Sequence, residues 1–196
     1  MKIDDFYGCY ANNIEAFRKE YVKLEQPEEF EKLIFVGKHK VYHRETDALT
    51  HSCVVWAVAK QVFTAPEEQF MHRIAMLHDI GKIYTSIRHN DGYWEYPDHS
   101  TCGAFKGILA KFIPINDPEF RTIQWYIANH IKPLFWKWDP NLNSYLVDTT
   151  DVITTKCSSK LLARLAYCDI VGSIPVPEKY EEQEELAQRL LDFSKK

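Results

Sequence analysis

Paired cysteines are missing from this chain. Its five cysteines (Cys9, Cys53, Cys102, Cys157, Cys168) are odd in number and scattered, and no Cys-x-x-Cys occurs. A disulfide scaffold and a cysteine-built structural zinc site are therefore not expected, and a reducing cytoplasm is the expected setting. Long apolar runs are also missing. No stretch approaches the roughly 18 apolar residues that span a bilayer, and the acidic start MKIDDFYGCYANNIEAF has no apolar signal core. There is no excess of positive charge either, since 24 Lys and Arg stand against 28 Asp and Glu for a net charge of -4. That balance gives no footprint for duplex nucleic acid. It leaves room for a small nucleotide, because a bound metal can supply local positive charge. Repeats, low-complexity tracts and flexible linkers are absent as well.

What is present is a chain of single-domain length with 45% hydrophobic and 14% aromatic residues, enough for one buried core. Its punctuation is helical. A first helical region is expected from about Asp4 to Phe35, broken near Gln26-Pro27, and then a polar loop from Gly37 to Arg44. Thr46 or Asp47 can cap a helix to about Thr64, with Ala48, His51, Val55, Val58 and Val62 on one face. Pro66-Glu67-Glu68 opens the next helix, which is expected to end at Asp79 because Gly81 stops it. HNDG between Ile83 and Pro97 suggests a short hairpin or ordered loop. Asp98 is expected to cap a helix through about Phe112, and Asp117-Pro118-Glu119 to open one running to about Ile131. Pro133 to Asn143 reads as an irregular loop. Helices from Ser158 or Ser159 to Gly172 and from Glu178 to Phe193 complete an all-α class, as a single helical bundle. Residues 1–45 form a helical extension packed on a core of 46–196.

The chemistry lies in histidines and acids placed where a helical core would want apolar groups. His51 shares the face of Val55 and Val58. His78 and Asp79 end the apolar stretch IAMLHD. His99 follows Asp98, with Gly103 and Ala104 a turn later permitting close backbone approach. His130 shares a stripe with Ile123, Tyr126 and Ile127, and Asp169 follows Leu162 and Leu165 on an apolar helix. A single inward histidine is in general a hydrogen-bonded core residue, and Asp169 alone could pair with Arg164 or Lys160. Several such groups together are better satisfied by one shared divalent cation, since a buried carboxylate without a partner costs several kcal/mol. His39, His43, His72 and His89 have no apolar face and read as surface residues. Cys102 reads as a small buried thiol, and the glutamates from Glu181 to Glu185 as a solvated face.

The order His51, His78-Asp79, Asp169 on a helical chain resembles the HD superfamily of metal-dependent phosphohydrolases. RIAMLHDIGK followed by HNDGYWEYPDHSTCGA is similar to the HD domain attached to bacterial tRNA nucleotidyltransferases, over roughly Thr46 to Gly172. The nucleotidyltransferase signature itself is missing. The resemblance implies a metal role for His51, His78, Asp79 and Asp169, with His99 and His130 in the places of second-ion ligands and Asp79 as the bridge. It implies one or two divalent ions, of Mn, Fe, Co, Ni, Zn or Mg, and hydrolysis of a nucleotide or related phosphoester, as a phosphomonoesterase or cyclic phosphodiesterase. Asp79 and Lys82 would be catalytic. Lys82 could neutralise a phosphate oxygen, though it also reads as an exposed lysine after a Gly turn. Arg88 and Lys106 are lesser phosphate-binding candidates, and Trp94, Tyr96 or Trp136 could stack on a base. Two other readings stay open: an HD-fold di-iron oxygenase, which uses the same ligand order, and a non-catalytic nucleotide-sensing module. No membrane partner is expected, and nothing indicates an oligomeric state.

Overall fold

A computed structural model of the chain describes residues 3–37, 45–139, 141, 144–146 and 155–195. The loop expected over 38–44, with His39 and His43, lies outside the described residues. The fold is all-α. Helix α1 (Ile3–Tyr21) is followed by the single turn α2 (Pro27–Phe30) and a 3-10 turn to Phe35. The break falls where Pro27 takes a first-turn position, which needs no N–H donor.

Helix α3 (Ala48–Val62) organises the molecule. Asp47 caps it by accepting a hydrogen bond from the Thr50 N–H at 2.7 Å. Every residue from Ala48 to Ala59 is buried, as expected for a helix that is apolar all round and therefore central rather than facial. It packs on α1, on α4 (Phe70–Leu77) and on α9 (Ser159–Val171). The small side chains Ser52, Cys53, Ala57 and Ala59 let those neighbours approach, and Val54 and Val55 fill the contacts between them.

Beyond α4 the chain stays in right-handed helical conformation through His78 and Gly81 into the short helix α5 (Lys82–Thr85). Helix α4 ends at Leu77, two residues short of the expected Asp79, but Gly81 itself keeps right-handed helical dihedrals (φ −64°, ψ −23°) and so does not act as a stop. A Cβ there would collide with the His99 carbonyl oxygen and stand 2.7 Å from the Gly103 nitrogen. Gly81 is required because α5 and α6 (His99–Ala104) meet backbone to backbone. Gly103 completes the seam from the other side, 3.0 Å from the Gly81 nitrogen if given a Cβ.

The hairpin at HNDG forms, with β1 (Ile87–Arg88) antiparallel to β2 (Trp94–Glu95) and Gly92 in the left-handed region. Asp98 precedes α6, but its own backbone is left-handed (φ 50°) and its side chain makes no capping bond. The helix expected to reach Phe112 breaks at Phe105, whose ψ of 129° is extended, and restarts as α7 (Lys106–Leu109).

Helix α8 (Phe120–Asn129) follows, opened by Asp117, which accepts from the Glu119 N–H. A 3-10 turn over Lys132–Phe135 then leads into a second hairpin, β3 (Lys137–Asp139) with β4 (Ser144–Leu146). This corrects the irregular loop expected between Pro133 and Asn143. Trp136, just before β3, and Tyr145 of β4 pack on Phe193 of α10 (Tyr180–Lys195), and Trp138 of β3 packs on Tyr145. Among the described residues, no helix is long and apolar enough to cross a membrane.

Candidate metal centre

Five helical elements converge on one point. His51 comes from the middle of α3, His78 and Asp79 from the turn after α4, His99 from the first residue of α6, His130 from the residue after α8, and Asp169 from α9. They form two groups whose ligand atoms lie within 4.8 Å of one another: His51, His78 and Asp169, and Asp79, His99 and His130. These buried His and Asp groups can hold a metal ion.

Asp79 joins the two groups. Its Oδ2 is 3.3 Å from His78 Nε2 and 3.7 Å from His51 Nε2, while its Oδ1 is 3.4 Å from His99 Nε2 and 3.8 Å from His130 Nε2. Asp169 Oδ1 closes the first group at 3.0 Å from His51 Nε2 and 3.7 Å from His78 Nε2.

The outer nitrogens of the rings fix their tautomers. Nδ1 of His78, His99 and His130 each faces the carbonyl oxygen three residues earlier, of Ala75, Tyr96 and Ile127, at 2.8, 2.9 and 2.8 Å. A carbonyl only accepts, so Nδ1 carries the proton and Nε2 presents a lone pair to the centre. For His99 and His130 the two Nε2 atoms stand 3.3 Å apart. Burial, opposed in part by Asp79, lowers the His99 pKa, and burial with the neighbouring His99 and His78 brings His130 down to about 3. Both rings are thus neutral near pH 7, and two lone pairs face one another in a buried space. A divalent cation held between them would satisfy both.

His51 differs. Burial opposes its charged form, but hydrogen bonds to Asp169 and Glu45 outweigh it and raise its pKa to about 10. A metal there competes with a proton. Burial acts against the charge of Asp79 too, yet Lys82 and His78 hold its carboxyl well below the usual range. Asp169 is likewise lowered, by His51 and His78 against burial.

Lys82 is not an exposed lysine after a turn. It is 5% exposed, donates to Asp79 Oδ2 at 2.6 Å, and lies over the Tyr96 ring 4.6 Å from its centroid. Lys82 and Tyr96 line a cavity of about 340 Å³, together with Asp79, His99, His130 and Asp169. Ile131, Leu134 and Phe135 form one apolar wall, and Ile170 and Leu186 another. His51 and His78 do not line it, whereas Asp169 of the first group and all three residues of the second do, so the first group is the more enclosed, inner one and the second the outer.

Other candidates fall elsewhere. Arg88 on β1 and Lys106 at the start of α7 are exposed and are not among the cavity-lining residues. The Trp94 ring packs against Gly37, and Trp136 belongs to the cluster with Tyr145 and Phe193. Cys102 is half-buried. His89 is exposed beside Glu95, but His72 is half-buried, with Nε2 donating to the Phe63 carbonyl at 2.9 Å, which corrects its surface reading. Arg164 does not pair with Asp169; it binds Glu68 at 2.6 Å and the Val62 carbonyl.

Glu45 is the buried group that sequence reasoning missed. It is 1% exposed and its Oε1 lies 3.2 Å from His51 Nδ1. It sits in the polar stretch HRETD, and no apolar periodicity marks it. Compared with protein-family models, curated proteins and solved structures, the chain matches none of them.

Proposed function

We propose that this chain is a metal-dependent phosphohydrolase of the HD type, cleaving a nucleotide or related phosphoester inside the cell. The observation that carries the reading is Asp79, whose two oxygens address two separate ligand groups while Lys82 binds the same carboxylate at the cavity floor. His51, His78 and Asp169 would hold one ion, and His99 and His130 the other, with Asp79 shared. Divalent ions held there would supply Lewis acidity toward a phosphoryl oxygen and would lower the pKa of a bound water toward neutrality.

The chain's own residues do the rest. The four Nδ1 contacts hold the imidazoles in place before substrate arrives, so no reorganisation is needed at the moment of reaction. Lys82 places a positive charge beside Asp79, within reach of a phosphoryl oxygen or the leaving group entering the cavity. Being buried, it acts at a lower effective dielectric than a surface lysine would. The apolar walls of Ile131, Leu134, Ile170 and Leu186 take the organic body of the ester and exclude water. With Lys82 as the one lysine or arginine among the described cavity-lining residues, bound ions would supply most of the positive charge that a phosphate requires.

The same six ligands suit a di-iron oxygenase. The buried Lys82 at the cavity floor favours the anionic substrate and hence hydrolysis. The test is turnover by metal-stripped protein refilled separately with Mn, Ni, Co, Fe(II) and Mg. The substrates are bis-p-nitrophenyl phosphate, cyclic nucleotides and nucleoside mono- and triphosphates, with Asp79→Ala as control. Metal-dependent hydrolysis lost in the control is the expected result. Tight binding of iron with no ester cleaved under any metal would refute it and direct attention to oxygen chemistry.

A further inference from the structure

Three of the four histidines of the centre lean on a backbone carbonyl from their own helical turn. His51 does not. Its Nδ1 meets the carboxylate of Glu45, six residues earlier and outside α3, at 3.2 Å. The same Oε1 accepts the backbone N–H of Ile174 at 3.1 Å. Ile174 lies just beyond the end of α9, five residues after Asp169. A carboxylate that is 1% exposed is expensive to keep charged in a protein interior.

We propose that Glu45 is a positioning residue of the centre: it holds His51 with Nδ1 protonated and Nε2 toward the ion, and ties that ring to the chain carrying Asp169. A carboxylate accepts and an imidazole Nδ1–H donates, so the contact selects one tautomer. The anion also makes the ring a stronger donor to a cation than a carbonyl does. His51 and Asp169, 3.0 Å apart at Nε2 and Oδ1, are thereby fixed from behind as a pair. In the outer group, among the described residues, Nδ1 of His99 and of His130 meets a backbone carbonyl, of Tyr96 and Ile127, in place of a carboxylate. The two ion sites are therefore unequal. The group of His51, His78 and Asp169, with its carboxylate-backed imidazole, is expected to be the tighter of the two. This inference rests on the two-ion reading of the centre and not on the reaction it performs.

The test is isothermal titration of the full metal-stripped chain with Mn²⁺ and Co²⁺, comparing wild type, Glu45→Gln and Glu45→Ala, with Tm recorded for each. Wild type is expected to show two unequal sites. Glu45→Ala should weaken the tighter one by about 10- to 100-fold and move the weaker one much less. Glu45→Gln keeps an oxygen able to accept from both His51 and Ile174 but lacks the charge, so it should recover part of the loss. The Co²⁺ visible spectrum of the first ion bound should shift in Glu45→Ala and return toward wild type in Glu45→Gln. Unchanged affinity in both variants would overturn the proposal. So would equal weakening of both sites in step with a fall in Tm, which is the signature of a structural brace. If Glu45→Ala fails to fold, Glu45→Gln decides: a weaker tight site at unchanged Tm supports the role, and unchanged affinity refutes it. Wild type that binds both ions but cleaves no ester would sink the hydrolase reading and leave this one standing.

Discussion

Gly81→Ala isolates the contact on which the centre's geometry depends. The backbone at Gly81 (φ −64°, ψ −23°) is one that alanine adopts without strain, so conformational preference contributes nothing unfavourable. The added methyl, however, would collide with the His99 carbonyl oxygen and sit 2.7 Å from the Gly103 nitrogen and 2.8 Å from the His99 carbonyl carbon. Ordinary contact begins near 3.4 Å, and these are backbone atoms that no rotamer change can move aside. Helix α6 must retreat as a body, carrying His99 with it. Overpacking of this kind costs about 1–3 kcal/mol, and two backbone neighbours argue for about 3. For a chain of this size that is a fall in Tm of roughly 6–12 °C. The same retreat draws His99 Nε2 away from Asp79 Oδ1, so the outer ion should bind more weakly than the inner. Gly8→Ala is the matched control. Gly8 lies exposed inside α1 with nothing within 4 Å of a Cβ, so the same substitution should stabilise by about 0.5–1 kcal/mol. Urea denaturation of both variants, followed by metal titration, checks the pair. A Gly81→Ala protein within about 0.5 kcal/mol of wild type would refute the close-approach account.

Other perturbations have equally definite signs. Lys82→Met should lower ester turnover by about 100-fold while metal binding is kept or tightened, because Asp79 loses a competing cation; parallel loss of metal would contradict its assignment to substrate. Divalent ions should raise Tm, since one site at a hundred times its Kd adds about 2.7 kcal/mol, and chelation should reverse the rise; a melt indifferent to metal would count against the centre. Asp117, which accepts from Arg73 at 2.9 Å, has a carboxyl lowered by Arg73 and by the Glu119 N–H against opposing burial. A depressed acid contributes above its unfolded pKa of about 3.9 and loses that contribution as pH falls. Wild type should thus exceed Asp117→Asn in stability by about 1 kcal/mol at pH 6, a modest figure because Arg73 is 37% exposed. The gap should close below about pH 4, and one that is flat from pH 6 to 3 would refute the pairing.

What could be read in the sequence was what repeats along a helix. His51, His130 and Asp169 stand out because they interrupt apolar stripes at helical spacing, and the structure brings them together with His78, Asp79 and His99. The all-α class follows from the same periodicity. What escaped depends on contacts between distant segments. Glu45 takes its partner Ile174 from 129 residues away, across a stretch with no periodicity to mark it. Gly81 looked like a helix stop because a capping glycine and a close-approach glycine are the same letter, and only the arrival of α6 separates them. The second hairpin was hidden because Trp136 and Tyr145, which hold it, find their apolar partner Phe193 only on the last helix. Lys82 was ambiguous for a related reason: its burial is created by Asp79 below it and Tyr96 above.

The most direct test of the centre is anomalous diffraction from crystals of the full chain equilibrated with Mn²⁺. Two peaks about 3.5–4 Å apart, one within bonding distance of His51, His78 and Asp169, the other of His99 and His130, with Asp79 between them, are the expected result. No peak at these residues, at metal concentrations that saturate binding in solution, would contradict it.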